Sequence, residues 1–386
     1  MSSKVDFRKF YIIAVAFAFS LLFFANEVET PDGELISTGL GKLFYIPCAA
    51  ALVFSLFIKG KADKFDRYIV AFMVMTFLSS FATPPQTGTF FTWSITRFTL
   101  GILCFWRLRD IDFHYFVKVM TWLGPVVIVL HYILTDPFSY GLYRYSGFYG
   151  DPNYLALAFN FIILFCYYGY WQNEQKIVKI ICILTIVGAI PLILVGLSRA
   201  GILGLVFVLL AIWFDLFKRN KKLGYVFLVV GLLFSTPIYV KLEPAVNNAM
   251  SRFTNSTDSD RNSAYSRVLE IESVYNIFSQ NPLLIPLGVG IGNNMAAAEQ
   301  YKTKGYVDRF AIHNTFFKVF FEQGLFAAII FIILFVMVGK MVFRIRNWPL
   351  IGLYIALFIT NVTLGCITFM PFWIIFFLMS NKKLSL

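Results

Sequence analysis

A helix needs roughly 20 consecutive apolar residues to cross the hydrocarbon core of a bilayer. This chain offers such runs about twelve times. They fall near 10–25, 41–58, 68–83, 91–106, 117–134, 152–170, 178–196, 200–217, 223–240, 312–338, 349–362 and 365–380. The pattern predicts an all-α, polytopic membrane helical bundle, folded as a single integral domain over 1–386. Composition agrees. The chain is 59% hydrophobic and 14% charged, with 45 Phe, against ~45–50% and ~25% for soluble domains. Those values exclude a disordered chain, a secreted disulfide scaffold and a cytosolic nucleotide enzyme.

Charge sets the orientation. Basic residues collect in the short cytoplasmic loops of membrane proteins. Alternate connections hold 21 of the 33 Lys and Arg residues, in clusters such as Lys59–Arg67, Arg107–Lys118, Lys218–Lys222 and Lys340–Arg346. The opposite short connections and adjoining helix ends hold Lys42, Arg97, Arg144 and Arg199. Both termini are expected in the cytoplasm. The net charge of +12 then reflects membrane orientation, and no nucleic-acid partner is expected. Lys4, Arg8 and Lys9 precede an apolar run that ends at the acidic loop 26–34, with no small-residue cleavage site. An uncleaved first span is expected. Cys48, Cys104, Cys166, Cys182 and Cys366 all lie in apolar stretches without CxxC spacing, as small core residues do.

The long segment 241–311 falls on the extracytoplasmic side. It carries seven basic and seven acidic residues. Within it, Val268, Ile271, Tyr275 and Phe278 recur at helical spacing. They predict an amphipathic helix over 263–280, lying on the bundle or the membrane surface. Loops this long are uncommon unless functional.

The residues suited to chemistry also fall on that side. Arg199 stands among small residues in Gly196-Leu197-Ser198-Arg199-Ala200-Gly201. An Arg at a span end snorkels, pairs or meets an anion. Arg267 either pairs with Glu270 at i,i+3 or faces a ligand. His313 begins a span, in His313-Asn314-Thr315-Phe316-Phe317. It serves as a helix-start hydrogen-bonding group or as a general base. Glu322 follows nine residues later, about 900° around a straight helix. It therefore points away from His313 and reads as a buried structural carboxylate. Arg144, Asp151 and Asn153 share an aromatic, Gly-rich loop. Asp151 before Pro152 suits a helix N-cap, and polar groups beside aromatics also suit sugar rings.

Other patterns carry no chemistry. Gly288-Val289-Gly290-Ile291-Gly292 lacks the βαβ context of a dinucleotide site. The run starting at Asp258 places Ser263 and Leu269 where a calcium loop needs Gly and Glu. No metal site is expected.

Three motifs occur in order: Gly196–Gly201, Arg267 ahead of Pro282–Gly292, and His313–Phe317 leading to Glu322-Gln323-Gly324. With Gly147–Asn153 they resemble the bacterial O-antigen ligase and O-antigen polymerase superfamily over about 145–335. Ile285-Pro286-Leu287 departs from the family's tighter Pro-to-Gly stretch. The resemblance implies a glycosyltransferase of surface polysaccharide synthesis in the inner membrane, with its active site facing the periplasm. Its donor would be a glycan on undecaprenyl diphosphate. The acceptor would be a glycan or lipid A-core hydroxyl, and membrane lipid and a chain-length regulator would be partners. Arg199 and Arg267 would hold the diphosphate, because guanidinium groups contact phosphate bidentately and stay charged. His313 would take the acceptor's proton. Arg144, Asp151, Asn153 and Asn314 would bind substrate. Transfer would be inverting and would require neither metal nor cofactor. The competing reading is a transporter or lipid-linked oligosaccharide flippase, which would line a midplane site with charge instead.

Overall fold

The computed structural model describes residues 6–24, 26–29, 35–38, 43–82, 89–135, 137, 145–147, 151–229, 258–301 and 312–384. Side chains of 89–91, 258–267 and 295 are outside that description, as are those of the two strands. The helices are α1 (Phe7–Leu22), α2 (Tyr45–Ser55), α3 (Lys64–Ala82), α4 (Thr89–Phe105), α5 (Phe113–Thr135), α6 (Pro152–Gln172), α7 (Lys176–Val195) and α8 (Arg199–Arg219). A further helix, α9, covers 221–229. Then come α10 (Asp258–Gln280), α11 (Leu284–Leu287), α12 (Asn294–Gln300), α13 (Thr315–Ile345), α14 (Trp348–Thr363) and α15 (Met370–Met379). One departure from the all-α expectation lies in the acidic loop. Asn26–Glu29 pairs antiparallel with Leu35–Thr38, in a two-stranded hairpin.

Among the described residues, five helices are long and apolar enough to cross a membrane: α5, α6, α7, α8 and α13. Shorter apolar helices are α2, α14 and α15. Most of the expected span 223–240 lies outside the described residues. The chain is a helical membrane protein. The surfaces of its long helices carry exposed aliphatics, such as Ile177, Ile183 and Leu184 on α7 and Ile329, Ile332 and Val336 on α13. Lipid favours such surfaces; water does not.

Two helices are buried nearly all round. α6 buries a continuous run from Leu155 to Gly169, and α15 buries every residue from Met370 to Met379. That is the pattern of a helix enclosed by others. Between membrane helices the driving force is close packing more than water exclusion. Small residues supply it here. A Cβ on Gly352 of α14 would sit 2.6 Å from the Ala211 Cβ of α8, and one on Gly204 would sit 3.2 Å from that of Ala356. Around α15 the abundant Phe does the filling. Trp373 is fully buried and meets Phe98, Phe372, Phe376 and Phe377 at ring separations of 5.0–5.9 Å.

The connections sort into two ends. At one end the basic ones meet. Arg109, 1% exposed, contacts Asp63 and Asp66, and Lys382 reaches Asp66 at 3.1 Å and Asp110 at 2.9 Å. Tyr168 donates to Asn347 at 2.6 Å. At the other end 145–147, 151–154, 195–201, 312–315 and 364–366 are joined by contacts. Three of the connections that charge alternation groups together, 59–67, 107–118 and 382–383, thus share one end.

α13 is interrupted at Gly324, whose φ of 84° and ψ of 174° are not helical. The Gly-rich segment after α11 occupies the break. Val289 N donates to Phe321 O at 3.0 Å, and Gly290 N to Glu322 O at 2.8 Å. A Cβ on Gly288 would meet the Glu322 backbone at 2.5 Å, and one on Gly324 would collide with the Pro286 and Leu287 backbone. Gly288, Gly290 and Gly292 all have positive φ. The motif is therefore a backbone splice into a broken membrane helix. Irregular backbone at such depth is tolerated only where protein satisfies it.

Candidate active site

His313 stands two residues ahead of α13, whose N-cap is Asn314. The Asn314 side chain accepts from Phe317 N at 3.0 Å, so it starts the helix and fixes its neighbour. The His313 ring is 42% exposed and its Nδ1 lies 2.7 Å from Glu270 Oε1. The other Glu270 oxygen accepts from His313 N at 3.3 Å. A carboxylate at neutral pH only accepts. Nδ1 therefore donates, and in the neutral ring the lone pair is on Nε2.

Glu270 comes from α10, whose inner face shares only Phe278 with the expected one. Val268, Ile271 and Tyr275 are 51%, 59% and 72% exposed, whereas Val274, Ile277 and Phe278 are 3%, 0% and 8% exposed. Glu270 and Ser273 are buried on that inner side with them. The face packs on Ile312 and Phe321, with the Phe278 ring 5.3 Å from Phe320. The helix is present as expected. Its docking face is turned because Glu270, the polar residue, is the one that finds a partner inside.

Arg199 is the first residue of α8, whose N-cap Ser198 accepts from Gly201 N. The Arg199 side chain is exposed. A cation is disfavoured by the positive end of a helix dipole. An anion there meets backbone N–H groups and the guanidinium together. Ser198 donates its hydroxyl to Asn153 Oδ1, and Asn153 Nδ2 donates to Asp151 Oδ1 at 2.9 Å. Asp151 also caps α6 through Asn153 N at 2.7 Å, as its place before Pro152 predicts. Asp151, Asn153 and Asn314 thus all carry structural duties. Arg144 lies outside the described residues, as does the Arg267 side chain.

A continuous run of contacts joins these pieces. Tyr154 donates to Gly365 O at 2.7 Å, and its ring stacks on Phe369 at 4.1 Å. Thr315 donates to Leu364 O at 2.6 Å and accepts from Cys366 N at 2.8 Å. Gly365 leaves no room for a Cβ, which would meet Ile312 O at 2.9 Å. So the starts of α6, α8 and α13 and the α14–α15 turn form one end of the bundle, and Glu270 brings α10 to it. Further along α13, Lys318 and Glu322 form a buried ion pair, 3.6 Å apart, with Glu322 fully buried. Glu322 does not reach His313; its partner is on its own helix.

Glu270 is the residue of this arrangement that sequence spacing does not single out, since spacing offers it only as an i,i+3 partner for Arg267. The available signal was chemical: a helix-start His needs an acceptor, and the loop helix offers a carboxylate on the side that holds Val274 and Ile277.

Residues 184–332 match the family described as O-Antigen ligase. This segment runs from within α7 into α13. It includes Arg199, Arg267, Glu270 and His313, and leaves out Arg144, Asp151 and Asn153. No curated protein matches the chain. The match lies within the 145–335 stretch and supports the resemblance to the O-antigen ligase and polymerase superfamily.

Proposed function

We propose that this chain, with its O-antigen ligase segment at 184–332, is a membrane glycosyltransferase. It would move a glycan from undecaprenyl diphosphate to a sugar hydroxyl at the outer face of the inner membrane. The observation that carries this reading is the arrangement at one end of the bundle. A carboxylate-held imidazole and a guanidinium at a helix start share an end that the contacts through Tyr154 and Gly365 tie together.

The chemistry follows from those groups. The acceptor oxygen attacks the anomeric carbon, and the bond from that carbon to the diphosphate oxygen breaks. The electron pair leaves with the diphosphate, and the acceptor proton passes to His313 Nε2. Direct attack inverts the anomeric centre. Negative charge grows on the departing diphosphate, and preplaced donors stabilise such charge most effectively in a partly dry site. Arg199 and Arg267 supply it. Asp151 and Asn153 hold the start of α8, Asn314 holds the start of α13, and Arg144 adds a cation in the adjoining loop.

The test is reconstitution in vesicles with an undecaprenyl-diphosphate-linked glycan and an acceptor glycan. Acceptor-dependent release of undecaprenyl diphosphate is the expected result; donor crossing the vesicle membrane without cleavage would mean a flippase. Deletion in the native host separates the two enzymatic readings. Surface glycan of one repeat marks a polymerase, and bare lipid A-core with accumulated lipid-linked polymer marks a ligase.

A further inference from the structure

We infer that Glu270 is the positioning residue of this site, selecting the proton-accepting nitrogen of His313 and holding the Arg267 helix against it. The inference rests on the transfer reaction proposed above. Glu270 is 8% exposed although charged, and its described hydrogen-bond partners are the backbone and the ring of a single residue, at 3.3 and 2.7 Å. Two contacts to one residue fix both the place and the rotation of the imidazole. With Nδ1 donating to the carboxylate, Nε2 is the nitrogen left to accept a proton. When it does so, the ring becomes cationic with a carboxylate already beside it.

The same helix carries Arg267. Successive helical residues turn by ~100° and rise by ~1.5 Å, so position 267 lies one turn, ~4.5 Å, along the axis from Glu270 and ~20° around it from Val274. Val274 is 3% exposed, on the docked face. The register thus turns position 267 toward the side that Glu270 and Val274 occupy. The remaining contacts of that face are apolar: Val274, Ile277 and Phe278 against Ile312 and Phe321. Among the described residues, Glu270 alone ties α10 directly to the His313 ring. Lys318 is the nearest charged group along α13, and it is held by Glu322.

The decisive variant is Glu270→Gln, which keeps the size and an acceptor oxygen but can donate to Nδ1 and so favour the wrong tautomer. The analogous exchange in serine proteases costs ~10⁴-fold in kcat. For Glu270→Gln the expected loss is ~10²–10⁴-fold in kcat, with KM for the lipid-linked donor and the thermal midpoint unchanged. Glu270→Asp should recover part of the kcat loss. His313→Ala is measured alongside. If His313→Ala is inactive while Glu270→Gln keeps wild-type kcat, Glu270 has no positioning role and the transfer reading stands. If His313→Ala keeps wild-type activity, the proposed base itself fails. A fall in thermal midpoint that accounts for the whole activity loss in Glu270→Gln would make the residue a packing element, against the inference.

Discussion

Replacing Gly324 by Ala attacks the splice on which the site rests. The native φ of 84° and ψ of 174° belong to a region that only glycine occupies comfortably, and a side chain there costs ~1–3 kcal/mol. The added Cβ also collides with the Pro286 and Leu287 backbone. Relief requires the 286–290 segment to retreat, with loss of the bonds from Val289 N to Phe321 O and from Gly290 N to Glu322 O. Two backbone hydrogen bonds are worth ~0.5–1.5 kcal/mol each, more if their groups stay buried and unpaired. Together the terms give a destabilisation of about 2–6 kcal/mol. The assay is thermal unfolding of the detergent-solubilised protein, followed by tryptophan fluorescence. It is paired with labelling of a Cys placed at the buried Val289, which should become accessible only when Gly324 is replaced. An Ala variant that melts with wild-type protein and leaves position 289 shielded would refute the argument, because the break would then be free to close.

Four further outcomes are expected. Lys318→Met leaves the fully buried Glu322 without its cation and should cost ~3–5 kcal/mol; the double variant Lys318→Met/Glu322→Gln should regain most of that in the same melt. Arg109→Met removes the buried cation beside Asp63 and Asp66 at the far end and leaves them Lys382 alone. It should lower the melting midpoint through a loss of ~3 kcal/mol, the scale of lost hydrogen bonds to charged groups, while donor KM is unchanged. Arg199→Ala should abolish glycan transfer without changing the melt, and wild-type transfer should persist in excess EDTA; activity that returns only with added Mg²⁺ or Mn²⁺ would show that guanidinium charge is not sufficient.

The bundle and its two ends were legible because lipid imposes a simple code. Apolar runs such as that leading up to Arg199 have no soluble alternative, and the basic clusters around Arg109 and Lys382 assemble at one end as their alternation requires. A helix over 263–280, which in the structure starts at Asp258, was legible too, but its orientation was not. Its two candidate faces are both partly apolar. Hydrophobic periodicity favours Val268, Ile271, Tyr275 and Phe278, of which only Phe278 is buried, while Glu270 is drawn inward by an imidazole 43 residues away. Such a pairing is set by tertiary contact and leaves no periodic trace. The hairpin at 26–38 escaped for a related reason. Two four-residue strands are too short to show alternation. The glycines of 288–292 lack the context of a nucleotide loop, and their use as a splice depends on a break at Gly324 that sequence does not announce.

The central claim is that Arg199, Arg267 and His313 surround a lipid-linked diphosphate. An experimental structure of the protein with undecaprenyl diphosphate bound tests it most directly. The account predicts diphosphate oxygens within about 4 Å of both guanidinium groups, the reach of an ion pair, with His313 Nε2 facing the anomeric side. A diphosphate held elsewhere, or Arg199 and His313 separated by the length of a ~20-residue span, about 30 Å, would contradict it.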